Sequence, residues 1–209
     1  MNEQNDNNKI DKAYVAYTFI DEQTSKELGD RTYTLAPNFR LTRPTRCNLI
    51  ALALKRFFGV QTQDEQILKS INGCVDGVYF YATTIERAVM VGVSRNPIGV
   101  SGQVPFDIYE PEEYVARYFN AAEIEQCRQN GFADETTYII FAKKLAFKHK
   151  HSERTFGDLT TMDTTEQAVY TLHKDHCDGR DYYLVATDTA EFVKIDIQSV
   201  KPEISKPPR

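Results

Sequence analysis

The chain has 209 residues, of which 41% are hydrophobic and 26% are charged, and its formal net charge is −5. This length and composition are typical of a globular protein with one substantial hydrophobic core. The acidic balance argues against a protein whose whole surface binds nucleic acid or anionic membrane, and no apolar run reaches the roughly 20 residues of a membrane-spanning helix.

The first half of the chain mixes strand and helix patterns. Residues 1–11 are polar and rich in Asn, and we expect them to form a flexible tail. Apolar periodicity, with Gly59 as a stop signal after the longer helix, predicts the next elements. These are, in chain order, strands over 13–20 and 31–35 and helices over 46–58 and 64–71.

The segment 74–92 carries the clearest local signals. A turn dipeptide precedes the apolar run over 78–82, which predicts a strand covered on both faces. Thr83 and Glu86 have the spacing of a capping box, in which each side chain satisfies a free backbone N–H. We therefore expect a short helix that ends at Gly92.

The second half continues the mixed pattern. Its predicted elements are an edge or bulged strand over 97–108, two helices within 110–129 that meet near Asn120, a strand over 137–147, a short helix over 164–172, and strands over 182–187 and 191–197. Period-2 alternation in the last two strands predicts a C-terminal β-hairpin. The Pro-rich residues 201–209 are expected to form a flexible tail.

These elements predict an α+β fold in one domain over residues 12–200. The strands would form a single mixed, mostly antiparallel sheet with several short helices packed on it. The four cysteines are widely spaced, no pair has C-x-x-C spacing, and the polar N-terminus does not resemble a secretory signal. We therefore expect free thiols and a cytoplasmic location.

One enzymatic hypothesis uses Cys47, which the predicted helix places in its first turn, where the helix dipole lowers a thiol pKa. The order Cys47, His176, Asp188 resembles that of papain-like cysteine hydrolases, in which a Cys that opens a helix is followed by a His and an Asp or Asn. The resemblance implies these three residues as the catalytic set. The alternative is that Cys47 packs in the core as a small hydrophobe.

Histidine clusters raise the question of a metal. His173, His176 and Cys177 lie close together in sequence, as do His149 and His151. Neither group has the paired spacing that zinc sites favour. The sequence therefore predicts no metal site.

Basic residues suggest an anionic ligand. Arg40, Arg43 and Arg46 recur just before and into the predicted helix at 46–58, where positive charge is unfavourable to the helix dipole unless an anion is also present. Arg43 and Arg46 are therefore candidate ligand-binding residues, although a carboxylate of the chain itself would serve equally. A basic loop over 143–154 is a candidate contact for an acidic partner, and its lack of interleaved aromatic residues other than Phe147 and Phe156 disfavours nucleic acid.

Val78 to Thr83 read VYFYAT, and with the short helix expected next they resemble the V-Y-F-T-A-T strand and helix of rifampin-type ADP-ribosyltransferases. In that family the Tyr of this strand helps to hold the nicotinamide end of NAD. The resemblance implies NAD as a ligand and Tyr79 as a residue that binds it. The alternative is that Tyr79 packs in the core.

Each catalytic hypothesis lacks at least one expected member. The sequence therefore favours a soluble, intracellular, non-catalytic binding domain that needs no cofactor. We expect its ligand to be a protein partner or an acidic molecule. The NAD-binding protein and the cysteine hydrolase remain the alternatives.

Overall fold

The computed structural model of the chain describes residues 12–30, 36–106, 110–132, 134–151 and 169–203. Within these ranges the strands are β1 Ala13–Phe19, β2 Asn72–Val75, β3 Val78–Ile85, β4 Ala88–Ser94, β5 Val100–Gln103, β6 Thr171–Cys177, β7 Arg180–Ala186 and β8 Ala190–Lys194. The α-helices are α1 Glu22–Glu27, α2 Phe39–Phe58, α3 Glu65–Lys69, α4 Pro111–Val115, α5 Ala121–Asn130 and α6 Glu135–Lys150.

The strands form two sheets. A five-stranded sheet has the order β2-β3-β4-β1-β8, in which β8 runs parallel to β1 and the other pairs are antiparallel. A three-stranded antiparallel sheet has the order β5-β7-β6. The α+β class, the mostly antiparallel pairing and a hairpin near the C-terminus, formed by β6 and β7, are confirmed. The predicted single sheet is instead divided in two.

Three clusters of apolar residues hold these elements together in layers. Helix α2 packs on one face of the five-stranded sheet, where Leu49 lies in a cluster with Val91. The opposite face of that sheet meets the three-stranded sheet, and Val15 and Leu184 belong to the cluster between them. Helix α6 covers the outer face of the three-stranded sheet through Ala146. The order of layers is therefore helix, sheet, sheet, helix.

The segment after β3 is a strand, and the predicted helix there is wrong. Ile85 pairs with Ala88, so β3 and β4 form a hairpin whose connecting residue Glu86 has a φ of 48°. Every residue of β4 is buried, because β4 is the central strand of its sheet and is covered on both faces. Valine side chains suit a strand that is covered on both faces. Because Thr83 lies in strand β3, the predicted capping box of Thr83 and Glu86 does not form.

Helix α2 begins at Phe39, seven positions before the predicted start at Arg46. The side chain of Asn38 caps it by accepting a hydrogen bond from the backbone N–H of Arg40 at 2.9 Å. The predicted start lies two positions after Pro44, and proline lacks the N–H that a helix interior uses. Here the helix continues through that proline.

The predicted strand over 137–147 is part of helix α6. The helix begins after Asp134, whose side chain accepts a hydrogen bond from the N–H of Thr136 at 3.0 Å. One side of α6 packs on the three-stranded sheet and another packs Phe141 against α4 and α5. Because α6 is buried on two sides, its sequence contains a continuous apolar run. The sequence pattern of such a run does not distinguish a helix from a strand.

The predicted basic loop over 143–154 is wrong over residues 143–150, which are helical. Residues 143–150 belong to α6, and residues 152–154 lie outside the described ranges. Lys144 is fully buried and donates a hydrogen bond to Glu123 at 2.6 Å. This ion pair joins α6 to α5, so Lys144 is unavailable to a partner.

The strands near the C-terminus pair differently from the prediction. The predicted partner of 182–187 was 191–197, whereas β7 pairs with β6 and β5, and β8 crosses to the other sheet beside β1. A two-residue turn at Asp178 and Gly179, both with positive φ, closes the β6–β7 hairpin. Of the predicted helix over 164–172, residues 171 and 172 lie in β6 and 164–168 are outside the described ranges.

Other predictions are confirmed where the chain is described. Strand β1, helix α3 and the paired helices α4 and α5 lie where the pattern placed them, and Asn120 caps α5 with a capping box. Strand β5 is an edge strand of its sheet. The predicted strand over 31–35, the predicted tail over 1–11, and residues 204–209 of the predicted tail over 201–209 lie outside the described residues.

The C-terminal turn of α6 lies directly against the chain at Gly99. A Cβ added to Gly99 would lie 1.9 Å from the carbonyl oxygen of Ala146 and 2.5 Å from the backbone nitrogen of Lys150. Only a residue without a side chain permits this approach. The contact fixes the end of α6 beside strand β3.

We expect Gly99→Ala to lower the free energy of unfolding by about 1–3 kcal/mol or more, since the helix backbone must move to admit the methyl group. Chemical denaturation of both proteins measures the difference. Gly102→Ala is the milder comparison, because its nearest contacts are a Leu184 methyl group at 2.9 Å and a carbonyl oxygen at 3.0 Å. Equal stability of Gly99→Ala and the parent protein would contradict the packing described.

Candidate ligand-binding groove

An open groove lies between the β2–β3 hairpin and the C-terminal turn of α6. Its volume is about 280 Å³, close to the lower end of ligand-binding cavities. The residues that line it are Asn72, Gly73, Cys74, Tyr79, Phe80, Tyr81, Pro97, Ile98, His149 and Lys150. The Gly99 contact places the last two of these over the hairpin.

Two tyrosines form the aromatic part of the groove. Side chains alternate along a strand, so Tyr79 and Tyr81 lie on one face of β3 while Val78 and Phe80 lie on the other, in the core beneath α2. Tyr81 is only 7% exposed, whereas Tyr79 is 37% exposed. Tyr79 therefore lies at the surface of the groove and not in the core.

His149 forms one wall. Its ring stacks on Tyr81 with 4.4 Å between ring centroids, and its Nδ1 lies 2.7 Å from the carbonyl oxygen of Val100. That contact requires Nδ1 to carry the hydrogen, because a carbonyl only accepts. Burial lowers the pKa of His149, and the charge of Lys148 acts in the same direction. The ring is therefore neutral at neutral pH.

The electrostatic character of the groove differs from that of the whole chain. The chain has 30 acidic and 25 basic residues, yet none of the described residues that line the groove is Asp or Glu. Lys150 contributes a positive charge. Burial raises the pKa of the Tyr81 hydroxyl, and the nearby Arg46 guanidinium opposes this shift. The charge of Lys150 favours an anionic group in the groove.

The two arginines predicted to bind an anion lie inside helix α2. Because the helix begins at Phe39, Arg43 and Arg46 are one and two turns from its N-terminus, and the predicted conflict with the helix dipole does not apply to them. The Arg43 guanidinium lies over the Phe39 ring, 5.6 Å from its centroid. Neither arginine is among the residues that line the groove.

The residues of the cysteine hydrolase hypothesis are not brought together. Cys47 is half-buried in the interior of α2, so its predicted place in the first turn is wrong. His176 pairs across the β6–β7 hairpin with Asp181, whose carboxylate lies 2.8 Å from its Nδ1. Asp188 follows the far end of β7, roughly 20 Å from Asp181 at about 3.3 Å per residue. The hairpin therefore separates the histidine from its expected partner.

A polar cluster between the two sheets was missed by sequence reasoning. The Tyr17 hydroxyl lies 2.8 Å from Nε2 of His173 and donates to Asp175 at 2.9 Å, and Lys194 donates to the same carboxylate oxygen at 2.8 Å. Burial and the hydrogen bond to Asp175 raise the pKa of Tyr17, which is only 3% exposed. The cluster joins β1, β6 and β8, and its Lys194 and Asp175 side chains are 53% and 21% exposed.

A larger hollow of about 1160 Å³ lies between the N-terminal half of α2 and the C-terminal residues. Its lining combines the basic Arg40 and Lys201 with the acidic Glu27 and Glu203. Because the charges are mixed, this hollow shows no preference for one class of ligand.

The described ranges contain neither a grouped set of metal ligands nor a membrane-spanning helix. No three His, Cys, Asp or Glu side chains of the described residues are grouped so that they could hold a metal ion. His173 and His176 lie on opposite faces of β6, because they are an odd number of positions apart. Among the described helices, none is long and apolar enough to cross a membrane.

No protein-family model matches the chain, and no curated protein is significantly similar to it. The chemistry of the groove is therefore the basis on which a function is proposed.

The buried histidines predict how stability depends on pH. Burial lowers the pKa of His149 and His173 below the ordinary value of 6.5. Just below pH 6.5 these two histidines are protonated in the unfolded chain but still neutral in the folded protein. Protons therefore stabilise the unfolded chain, and the free energy of unfolding should fall as the pH drops from 6.5 to 5.5. Denaturant unfolding at a series of pH values measures this.

The His149→Phe variant isolates the contribution of the groove histidine. It keeps an aromatic ring against Tyr81 and removes the titrating group, so its stability should depend less steeply on pH than that of the parent protein. Identical pH profiles for the two proteins would contradict a depressed pKa at His149.

Proposed function

We propose that the chain is a binding protein that holds an acidic segment of a partner protein in the groove between the β2–β3 hairpin and α6. One observation carries the proposal. The described lining residues include Lys150 and no carboxylate, although the chain has a net charge of −5. Because none of the described lining residues is acidic, the groove repels anionic groups less than the rest of this acidic protein does. The Lys150 ammonium attracts them.

The groove also offers hydrogen-bond donors and an aromatic surface. The Tyr79 hydroxyl, the Asn72 amide and the Lys150 ammonium are able to donate to a carboxylate. The exposed Tyr79 ring provides apolar contact at low cost in side-chain entropy, a common property of tyrosine at interfaces. These features fit a ligand that combines carboxylates with apolar groups, as an acidic polypeptide segment does.

NAD is the second candidate ligand. It is favoured by the exposure of Tyr79 in an open groove, the position that the resemblance to rifampin-type ADP-ribosyltransferases implies for it. The helix expected after the Tyr79 strand is replaced by β4, so that part of the resemblance is absent. NAD also carries the negative charge that the groove chemistry favours.

A cytoplasmic location is part of the proposal. Cys47, Cys74, Cys127 and Cys177 are all free thiols. Free cysteines are usual in the reducing cytoplasm, where disulfides are rare.

The proposal predicts that an eight-residue peptide of alternating Glu and Val binds more tightly than one of alternating Lys and Val. Lys150→Glu should weaken binding of the acidic peptide by about tenfold, since it replaces a charge-assisted hydrogen bond with repulsion. Fluorescence anisotropy of dye-labelled peptides at low salt measures the affinities. Added salt should weaken binding of the acidic peptide by screening.

Lys174→Glu is the matched control, because Lys174 is an exposed lysine of β6 whose partner is Glu135, outside the groove. It should leave the affinity for the acidic peptide nearly unchanged. Equal affinity for the two peptides, or equal effects of the two charge reversals, would contradict the proposal. If NAD raises the melting temperature while the acidic peptide does not bind, the second candidate replaces the first.

A further inference from the structure

Strand β2 is an edge strand of the five-stranded sheet. It pairs with β3 on one side, and none of the described strands pairs with its other side. An edge of this kind presents unpaired N–H and C=O groups to another polypeptide. Because β2 also contributes to the groove lining, whatever occupies the groove lies beside this edge.

The register determines which backbone groups point outward. The N–H of Ala82 donates to the carbonyl oxygen of Ile71 at 2.6 Å, so these two residues form a hydrogen-bonded pair. Hydrogen-bonded pairs alternate with non-bonded pairs along an antiparallel ladder. The next bonded residues of β2 are therefore Gly73 and Val75, and the backbone groups of Asn72 and Cys74 point away from the sheet.

We propose that the acidic segment adds to β2 as a further strand and pairs its backbone with Asn72 and Cys74. This inference rests on the function proposed above and specifies how the groove holds its partner. Addition of a strand gives affinity through backbone hydrogen bonds, and alternate side chains give specificity.

The two faces of the edge define the sequence pattern of the partner. The side chains of Asn72 and Cys74 lie on the groove face with Lys150, so the partner residues on that face are acidic. A strand added about 4.8 Å from β2 stays within reach of a lysine side chain. On the opposite face Ile71 is 47% exposed and Val75 is partly buried against the core. The partner residues on that face are apolar, so the partner alternates acidic and apolar residues.

Proline at position 74 tests the strand addition. Because the Cys74 N–H points outward, Cys74→Pro removes a donor to the added strand and leaves the pairing of β2 with β3 intact. We expect Cys74→Pro to weaken binding of the alternating Glu-Val peptide at least tenfold. Cys74→Ala removes the thiol but keeps the N–H, so it measures the effect of the side chain alone, and Cys74→Pro should bind more weakly than Cys74→Ala. Circular dichroism and thermal unfolding establish that both variants are folded.

A modified peptide gives the same test on the parent protein. N-methylation of alternate residues removes N–H donors on one edge of the peptide, so one of the two possible methylation patterns should abolish binding while the other preserves it. If both patterns bind equally and Cys74→Pro binds as Cys74→Ala does, the strand addition is wrong although acidic binding in the groove stands.

Two further outcomes separate the possibilities. If the acidic peptide fails to bind the parent protein, the proposed function itself fails. If the protein alone self-associates in sedimentation experiments and Cys74→Pro prevents this, the strand that adds to β2 belongs to a second copy of the chain. That outcome would overturn the acidic partner.

Discussion

The approach of helix α6 to the backbone at Gly99 determines where the groove lies. The carbonyl of Ala146 and the N–H of Lys150 occupy the space that any side chain at position 99 would need. This contact holds the last turn of α6 against the connection that leads into β5. It thereby places His149 on the Tyr81 ring and Lys150 beside the β2–β3 hairpin. The groove is thus a consequence of how a helix packs on a sheet.

Two other polar arrangements hold the layers in place. The buried pair of Lys144 and Glu123 ties α6 to α5, and Glu123 also accepts a hydrogen bond from the N–H of Asn120 at the start of that helix. The Tyr17 cluster joins the two sheets. Burial makes each arrangement costly to break, because a partner removed from either leaves a polar group without compensation. The groove, in contrast, contains an exposed tyrosine and an exposed sheet edge.

Local patterns predicted the elements that local forces decide. The cap at Asn120 and the short helix after Asp64 depend on side chains within a few positions, and both were predicted. The predictions of a helix ending at Gly92 and of a strand over 137–147 are wrong. Each segment has a continuous apolar run because it is buried on two sides, and such a run does not show the periodicity of a strand or of a helix. That burial comes from elements distant in sequence.

The groove residues also divide into those that the local sequence identifies and those that depend on distant elements. Tyr79 was identified as a candidate from its strand, but its exposure depends on which parts of the hairpin the second sheet leaves uncovered. His149 and Lys150 were assigned to a basic loop, since nothing near them in sequence signals a helix that packs on Gly99. Gly99 lies within the predicted edge or bulged strand over 97–108, and nothing in that pattern indicates a contact with a helix. The close contact that Gly99 permits joins positions about 50 residues apart, which a single sequence does not reveal.

Backbone amide chemical shifts, recorded while the alternating Glu-Val peptide is added, locate the binding surface directly. The groove and the free edge of β2 predict that the largest changes fall on residues 72–74, 79–81, 98 and 149–150. The amides of Asn72 and Cys74 should also exchange with solvent more slowly once the peptide is bound. Changes confined to the mixed-charge hollow beside Arg40 and Lys201, or changes spread evenly over the surface, would contradict a specific acidic partner in this groove.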